Sequence, residues 1–240
     1  FDDSAILIVD GNGSDLETTT YYKAKKFKNN FLKNYKFHGI GACYGLVTMG
    51  ILNLGLGGEG KTMGLAPYGR KFKNIKFNIK CKLNGIKNDF SDFMRRMPCS
   101  DILNQINNKY RVNALKTNIK KCKNPKDLTN KYYSKIAYVT QNVAEKALVH
   151  LANDIYKKTK SKNICIAGGV GLNSVSNKKI LDKTKFKNIF IFPACSDSGI
   201  PFGLAIWGYY NLSELGSFKR KKLKFQNAYT GGEYNSKYIA

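Results

Sequence analysis

The sequence predicts a mixed α/β fold in which three antiparallel strands come first and helices alternate with strands afterwards. Three observations carry that expectation. Residues 5–9 (AILIV) are a continuous apolar run closed by Asp10-Gly11-Asn12-Gly13-Ser14, which reads as a strand buried on both faces and ending in a turn. Residues 132–158 place apolar side chains at helical spacing along one stripe. Residues 163–173 (NICIAGGVGLN) read as a short buried strand, a glycine-rich turn and the start of a helix.

The elements follow in order. After the strand at 5–9, residues 16–23 carry Thr18, Thr19, Thr20, Tyr21 and Tyr22, all strand formers. A third strand is expected over 31–37, beyond the polar Lys28-Asn29-Asn30, and short turns between the three suggest a meander. The period then changes. Leu46, Val47, Gly50, Ile51 and Leu54 fall at helical spacing within 43–54, and a glycine-rich loop is expected over 55–64. Residues 70–130 are rich in Lys and Asn with weak periodicity, and read as an insertion with helices near 88–97 and 100–106.

The clearest helix spans 132–158, with Ile136, Ala137, Thr140, Ala144, Leu148, Leu151 and Ile155 on its apolar face. A strand at 163–167, a helix near 172–181, a strand at 188–192 and a helix at 200–210 complete the order, the last opened by Gly199 and Pro201. Three antiparallel strands followed by alternating helices and strands make one ribonuclease-H-like half. Two such halves build the actin-like nucleotide-binding fold (the ASKHA class of actin, hexokinase and Hsp70). The expectation is that residues 1–217 form the second half, with a helical insertion over about 70–130, and that the first half precedes Phe1. Residues 218–240 read as a linker.

Composition narrows the function classes. The chain has 240 residues and a net charge of +25, from 41 basic and 16 acidic side chains. Such a charge attracts nucleic acid non-specifically. Lys is nevertheless spread along the whole chain together with abundant Asn, Ile, Tyr and Phe, the bias of AT-rich coding, so nucleic acid is not expected as the main partner. No run is apolar and long enough to span a bilayer, and no membrane partner is expected. The six cysteines form no CxxC pair, which argues against a zinc knuckle and suits a reducing cytoplasm. His38 and His150 are the only histidines, so the chain alone cannot build a His-rich metal site.

Three expected strands end in polar or glycine-rich loops, at 10–14, 168–173 and 196–199, and ligands of α/β sheets collect beyond such carboxyl ends. Asp10 and Asp197 are the acidic candidates. A carboxylate there can hold a metal, orient water or accept a hydroxyl proton, and an Asp before Gly is also an ordinary turn residue. Asn173 reads either as a donor to a phosphate or carbonyl, or as a helix cap. Gly57-Gly58-Glu59-Gly60-Lys61 lacks the spacing of a Walker A loop but presents Lys61 to an anion.

Taken together, these segments resemble the O-carbamoyltransferases of the nodulation-protein-U, cephalosporin and tobramycin carbamoyltransferase type. The matching stretches are 6–13 (ILIVDGNG), 58–69 (GEGKTMGLAPYG), 167–173 (AGGVGLN) and 192–199 (FPACSDSG), the last followed by Gly203-Leu204-Ala205. The resemblance implies a Kae1-like domain of the actin type followed by a smaller YrdC-like domain. The latter makes carbamoyl-adenylate from carbamoyl phosphate and ATP. The former binds the adenylate and a ferrous iron, and passes the carbamoyl group to a hydroxyl of a small-molecule or sugar acceptor. It implies adenylate contacts for Asp10, Gly11, Gly13, Lys61, Gly168, Gly169 and Asn173. Asp197 becomes the catalytic, iron-binding carboxylate. The family's two histidine ligands lie in a His-x-x-x-His motif expected before Phe1, and residues 228–234 (AYTGGEY) resemble the entry to the YrdC-like domain. Alternatives are a tRNA threonylcarbamoyl transferase of the related TsaD type, a non-enzymatic basic RNA-binding remnant, and a sugar kinase of the same superfold.

Overall fold

The computed structural model describes residues 1–72, 81–83, 86–89, 121–216, 218–219 and 221, apart from Asn12, Ser14, Leu16, Phe27, Phe37 and His38. Strands β1 (Asp3–Val9), β2 (Glu17–Lys25) and β3 (Lys28–Lys36) form the expected antiparallel meander, with Ile6 opposite Tyr22 and Tyr22 opposite Phe31. Strand β6 (Asn163–Ala167) runs parallel to β1, and β7 (Asn188–Ile191) parallel to β6. The sheet order is β3-β2-β1-β6-β7. Three antiparallel strands with two parallel strands added on the far side of the first is the ribonuclease-H-like order, so the fold class is the expected α/β, actin-like one.

The apolar run of β1 lies at the centre of this sheet. Ala5, Leu7 and Val9 are fully buried, on the same face as Tyr21 of β2 and Ile164 and Ile166 of β6. Helix α3 (Lys131–Thr159) covers that face with Ile136, Ala137, Ala144, Leu148, Leu151 and Ile155. It is pinned by Tyr21, whose hydroxyl donates to the Leu151 carbonyl at 3.3 Å, and by Lys23, whose Nζ donates to the Thr159 carbonyl at 3.0 Å. Asn130 caps the helix, its side chain accepting from the N–H groups of Tyr132 and Tyr133.

Helix α1 (Ile40–Leu46) continues as a π-helical turn over Val47–Ile51, where the Leu52 N–H reaches back to the Val47 carbonyl at 2.9 Å. The glycine-rich stretch that follows is only in part a loop. It turns at Gly55 and Gly57, both at positive φ, and helix α2 (Glu59–Gly69) then takes in Gly60, Gly64 and Pro67. Each helical Gly costs about 1 kcal/mol against Ala. Close packing offsets that cost: Thr62, Leu65 and Ala66 are buried, and Gly69 sits so near the Ser134 carbonyl that no Cβ would fit. The Thr48 and Thr62 hydroxyls meet at 2.8 Å in the interior, joining α2 to the π turn.

Within the expected insertion, β4 (Cys81–Leu83) and β5 (Ile86–Asp89) pair as an antiparallel two-stranded sheet. Asn88 and Asp89 thus belong to a strand instead of opening the helix expected near 88–97. The remainder of that helix, and the one expected near 100–106, lie outside the described residues. Helix α4 (Ser174–Lys183) follows β6 after a short 3-10 turn. The chain divides into two compact units, Phe1–Asp197 and Ser198–Ala240. In the second, α5 (Ile200–Glu214) opens with Pro201 in its first turn, and Tyr209 stacks on Phe218 with ring centres 4.9 Å apart. Nearly all of the expected linker at 218–240 lies outside the described residues.

Candidate functional site

Strands β1, β6 and β7 are parallel neighbours, so their carboxyl ends emerge on one edge of the sheet. The loops that follow them meet there. At the end of β1, Asp10 donates its N–H to the Thr18 carbonyl at 3.0 Å, and its Oδ1 accepts from the Gly11 N–H at 2.7 Å. This closes a tight turn that leaves the carboxylate half-buried. At the end of β6, Gly168 adopts φ +88°, and a Cβ there would collide with the Val9 carbonyl, so only glycine lets this turn lie against β1. A Cβ on Gly169 would stand 3.1 Å from Asp10 Oδ1. A Cβ on Gly41 of α1 would stand 2.7 Å from the Asp10 carbonyl, so the Asp10 turn is held between two glycine contacts.

A cavity of about 690 Å³ opens between these loops. Of the residues predicted from sequence, Asp10, Gly11, Gly169, Asn173 and Asp197 line it together. Three others are placed differently. Gly168 lies behind the wall, where it shapes the turn. Gly13 belongs to the β1–β2 turn, its N–H donating to the Glu17 carbonyl, and it is not part of the lining. Lys61 is exposed on α2. Glu59, Gly60 and Met63 of that helix line the cavity, whereas Lys61 does not, since each helical residue is turned about 100° from the last. Of the two roles left open by the sequence, Asn173 takes that of the cap of α4, its Oδ1 accepting from the Ser176 N–H at 3.0 Å, and it also lines the cavity.

Sequence reasoning missed the wall that α1, α2 and α3 supply. Tyr44 and Glu59 both line the cavity. The Tyr44 hydroxyl donates to Gln141 Oε1 at 2.8 Å, and Gln141 Nε2 donates to Glu145 Oε1 at 3.0 Å. Burial first, and then the Glu145 and Glu59 carboxylates, push the Tyr44 phenol far above its ordinary range, so it stays a donor. A signal did exist for Gln141: it is a polar residue within the apolar stripe of the long helix, four residues after Ala137 and three before Ala144. The Cys195 thiol is buried beside Gly171, and burial followed by the Asp10 carboxylate pushes its pKa up, which marks it as a packing residue.

The lining includes Asp10, Glu59 and Asp197 and, among the described residues, no basic side chain. Such a wall suits ribose hydroxyls and adenine amines, while a phosphate there depends on backbone N–H groups or on a cation for compensation. Among the described residues no three His, Cys, Asp or Glu side chains gather to hold a metal ion. Asp197 brings one carboxylate to the cavity lining.

The protein family described as Carbamoyltransferase N-terminus matches residues 1–206. An uncharacterized protein of Synechocystis (sll1178) is 31% identical over 252 residues, covering all of this chain and 38% of its own length. The nodulation protein NolO of Bradyrhizobium diazoefficiens is 26% identical over 212 residues, covering 86% of this chain and 35% of its own length. The chain thus spans little more than a third of these curated relatives. Among solved structures, the activator of the 2-hydroxyisocaproyl-CoA dehydratase from Clostridium difficile, with bound ADPNP, aligns over 92% of this chain and 65% of its own at 11% identity and a TM-score of 0.41.

Proposed function

We propose, from the premise that this chain belongs to the carbamoyltransferase family and matches its N-terminal region, that the cavity is one wall of a site for carbamoyl-adenylate. The full-length protein would transfer the carbamoyl group to a hydroxyl of a small-molecule or sugar acceptor. The observation that carries the reading is the convergence of Asp10, Gly169, Asn173 and Asp197, from the ends of three parallel strands, on a single cavity of about 690 Å³. That volume accommodates a nucleotide.

In the reaction, the acceptor oxygen bonds to the carbamoyl carbon, the bond from that carbon to the phosphate oxygen breaks, and AMP leaves. The acceptor's hydroxyl proton passes to a base. Charge builds on the carbamoyl oxygen in the transition state and is lowered by donors aimed at it. The turn that Gly168 shapes presents the backbone of Gly169 to the ligand with no side chain between. Asn173 contributes a carboxamide N–H. Asp197 is the carboxylate assigned to the reacting end, and it would be one of the residues holding a ferrous iron, a group that would supply Lewis acidity. The carbamoyl-adenylate itself would come from carbamoyl phosphate and ATP through a YrdC-like domain of the same polypeptide.

The test uses full-length protein with ¹⁴C-carbamoyl phosphate, ATP and a panel of sugar and polyol acceptors. ATP-dependent label in an acid-stable carbamate, lowered at least about 100-fold by Asp197→Ala, supports the reading. Transfer that proceeds without ATP, or at the wild-type rate in the variant, refutes it.

A further inference from the structure

We propose that Gln141 is a positioning residue, which locks the Asn173 carboxamide so that it offers a ligand a hydrogen-bond donor and no acceptor. The inference rests on the adenylate reading of the cavity and adds to it the chemistry of one corner. The two side chains face each other as a closed carboxamide pair: Gln141 Nε2 donates to Asn173 Oδ1 at 3.1 Å, and Asn173 Nδ2 donates to Gln141 Oε1 at 3.0 Å. Turned over together, two such amides make the same two bonds, so the pair alone fixes no orientation.

Here both members are pinned by groups that act in one sense only. A backbone N–H can only donate, and that of Ser176 reaches Asn173 Oδ1 at 3.0 Å. A carboxylate oxygen accepts, and Glu145 Oε1 takes Gln141 Nε2 at 3.0 Å, four residues along the same helix. The Tyr44 hydroxyl, which can act in either sense, follows the orientation those two set and donates to Gln141 Oε1 at 2.8 Å. Gln141 is 4% exposed and Tyr44 6%, so water does not compete for these positions.

The donor and acceptor count follows. Asn173 Oδ1 already accepts two bonds, which fills it. Asn173 Nδ2 uses one hydrogen on Gln141, and the other is assigned to the cavity that Asn173 lines. The matching ligand group is an acceptor, such as a ribose, phosphate or carbonyl oxygen or a ring nitrogen of the adenylate. An ammonium, which only donates, is refused. Without Gln141 the Asn173 side chain loses two of these three hydrogen bonds and is free to rotate about its capping bond.

The test measures binding of AMP to the full-length protein by calorimetry, for Gln141→Leu, Tyr44→Phe, Asn173→Ala and the Gln141→Leu/Asn173→Ala pair. Asn173→Ala and Gln141→Leu should each weaken AMP about tenfold, as expected for one hydrogen bond. The pair should be no weaker than Asn173→Ala alone, because the first residue acts through the second. Tyr44→Phe, which keeps the packing, should weaken AMP several-fold. Full loss from Gln141→Leu persisting in the Asn173→Ala background overturns the proposal. So does unchanged affinity in both Gln141→Leu and Tyr44→Phe. Affinity lost in Asn173→Ala but kept in those two leaves the adenylate reading standing and sinks only this inference, whereas a wild-type protein that binds no AMP sinks both.

Discussion

The backbone N–H of Gly168 donates to the carbonyl of Cys195 at 2.7 Å, tying the turn after β6 to the loop after β7. The same glycine lies against the Val9 carbonyl at the end of β1. One residue therefore joins the ends of all three parallel strands, and with them the turns that carry Asp10, Gly169 and Asp197 to the cavity.

Gly168→Ala tests that junction. At φ +88° an L-residue is strained, and its Cβ would displace the Val9 carbonyl. The substitution should destabilise the full-length protein by about 3 kcal/mol, the upper end for a residue forced into a sparse backbone region. Urea unfolding measures it, and a midpoint unchanged from wild type contradicts the role given to this turn.

Thr48 and Thr62 give a sharper test of packing around the site. Thr48 has one hydroxyl hydrogen and donates it to the Tyr44 carbonyl at 2.9 Å, so the 2.8 Å contact between the two threonines is Thr62 donating to Thr48. Thr62→Val removes the donor and should cost about 1 kcal/mol, whereas Thr48→Val strands the Thr62 hydroxyl in the interior and should cost roughly 2–3 kcal/mol. The order of the two urea midpoints decides the point, and the reverse order contradicts it.

The order of the fold was legible because each parallel strand is written as an apolar run closed by breaker residues, and because the long helix keeps its period over seven turns. Asp10 and Asp197 were legible as carboxylates at strand ends. What stayed hidden depends on tertiary packing. Gly60 and Gly64 read locally as part of a loop, and only the burial of Thr62, Leu65 and Ala66 beside α3 makes them a helix. Lys61 was drawn to the site by its place in the motif, yet the phase of that helix turns Glu59, Gly60 and Met63 to the cavity in its place. Tyr44 and Gln141 meet across 97 residues of sequence, a distance over which no local pattern reports.

Stability should fall on the alkaline side through two thiols, the buried Cys195 and the half-buried Cys165. Burial pushes both Cys165 and Cys195 above the ordinary thiol value, so the folded state holds their protons more tightly than the unfolded chain does. The contribution is fully present below about pH 8.5, the unfolded value. It is lost as pH rises from there through the folded values. Under reducing conditions the urea midpoint should drop between pH 7.5 and pH 9.5, and the drop should be smaller in the Cys165→Ala/Cys195→Ala variant. An equal drop in both proteins assigns the pH dependence to other groups.

The measurement that reaches the central claim most directly is the place where an adenine nucleotide binds. Full-length protein photolabelled with an azido-adenosine monophosphate and digested with trypsin should carry the label on the peptide of residues 163–178, which contains the glycine turn, Asn173 and the start of α4. Excess AMP should suppress that label, and Asp10→Ala should reduce it. AMP-protected label confined to peptides outside the cavity wall, with 163–178 unmodified, would contradict the account.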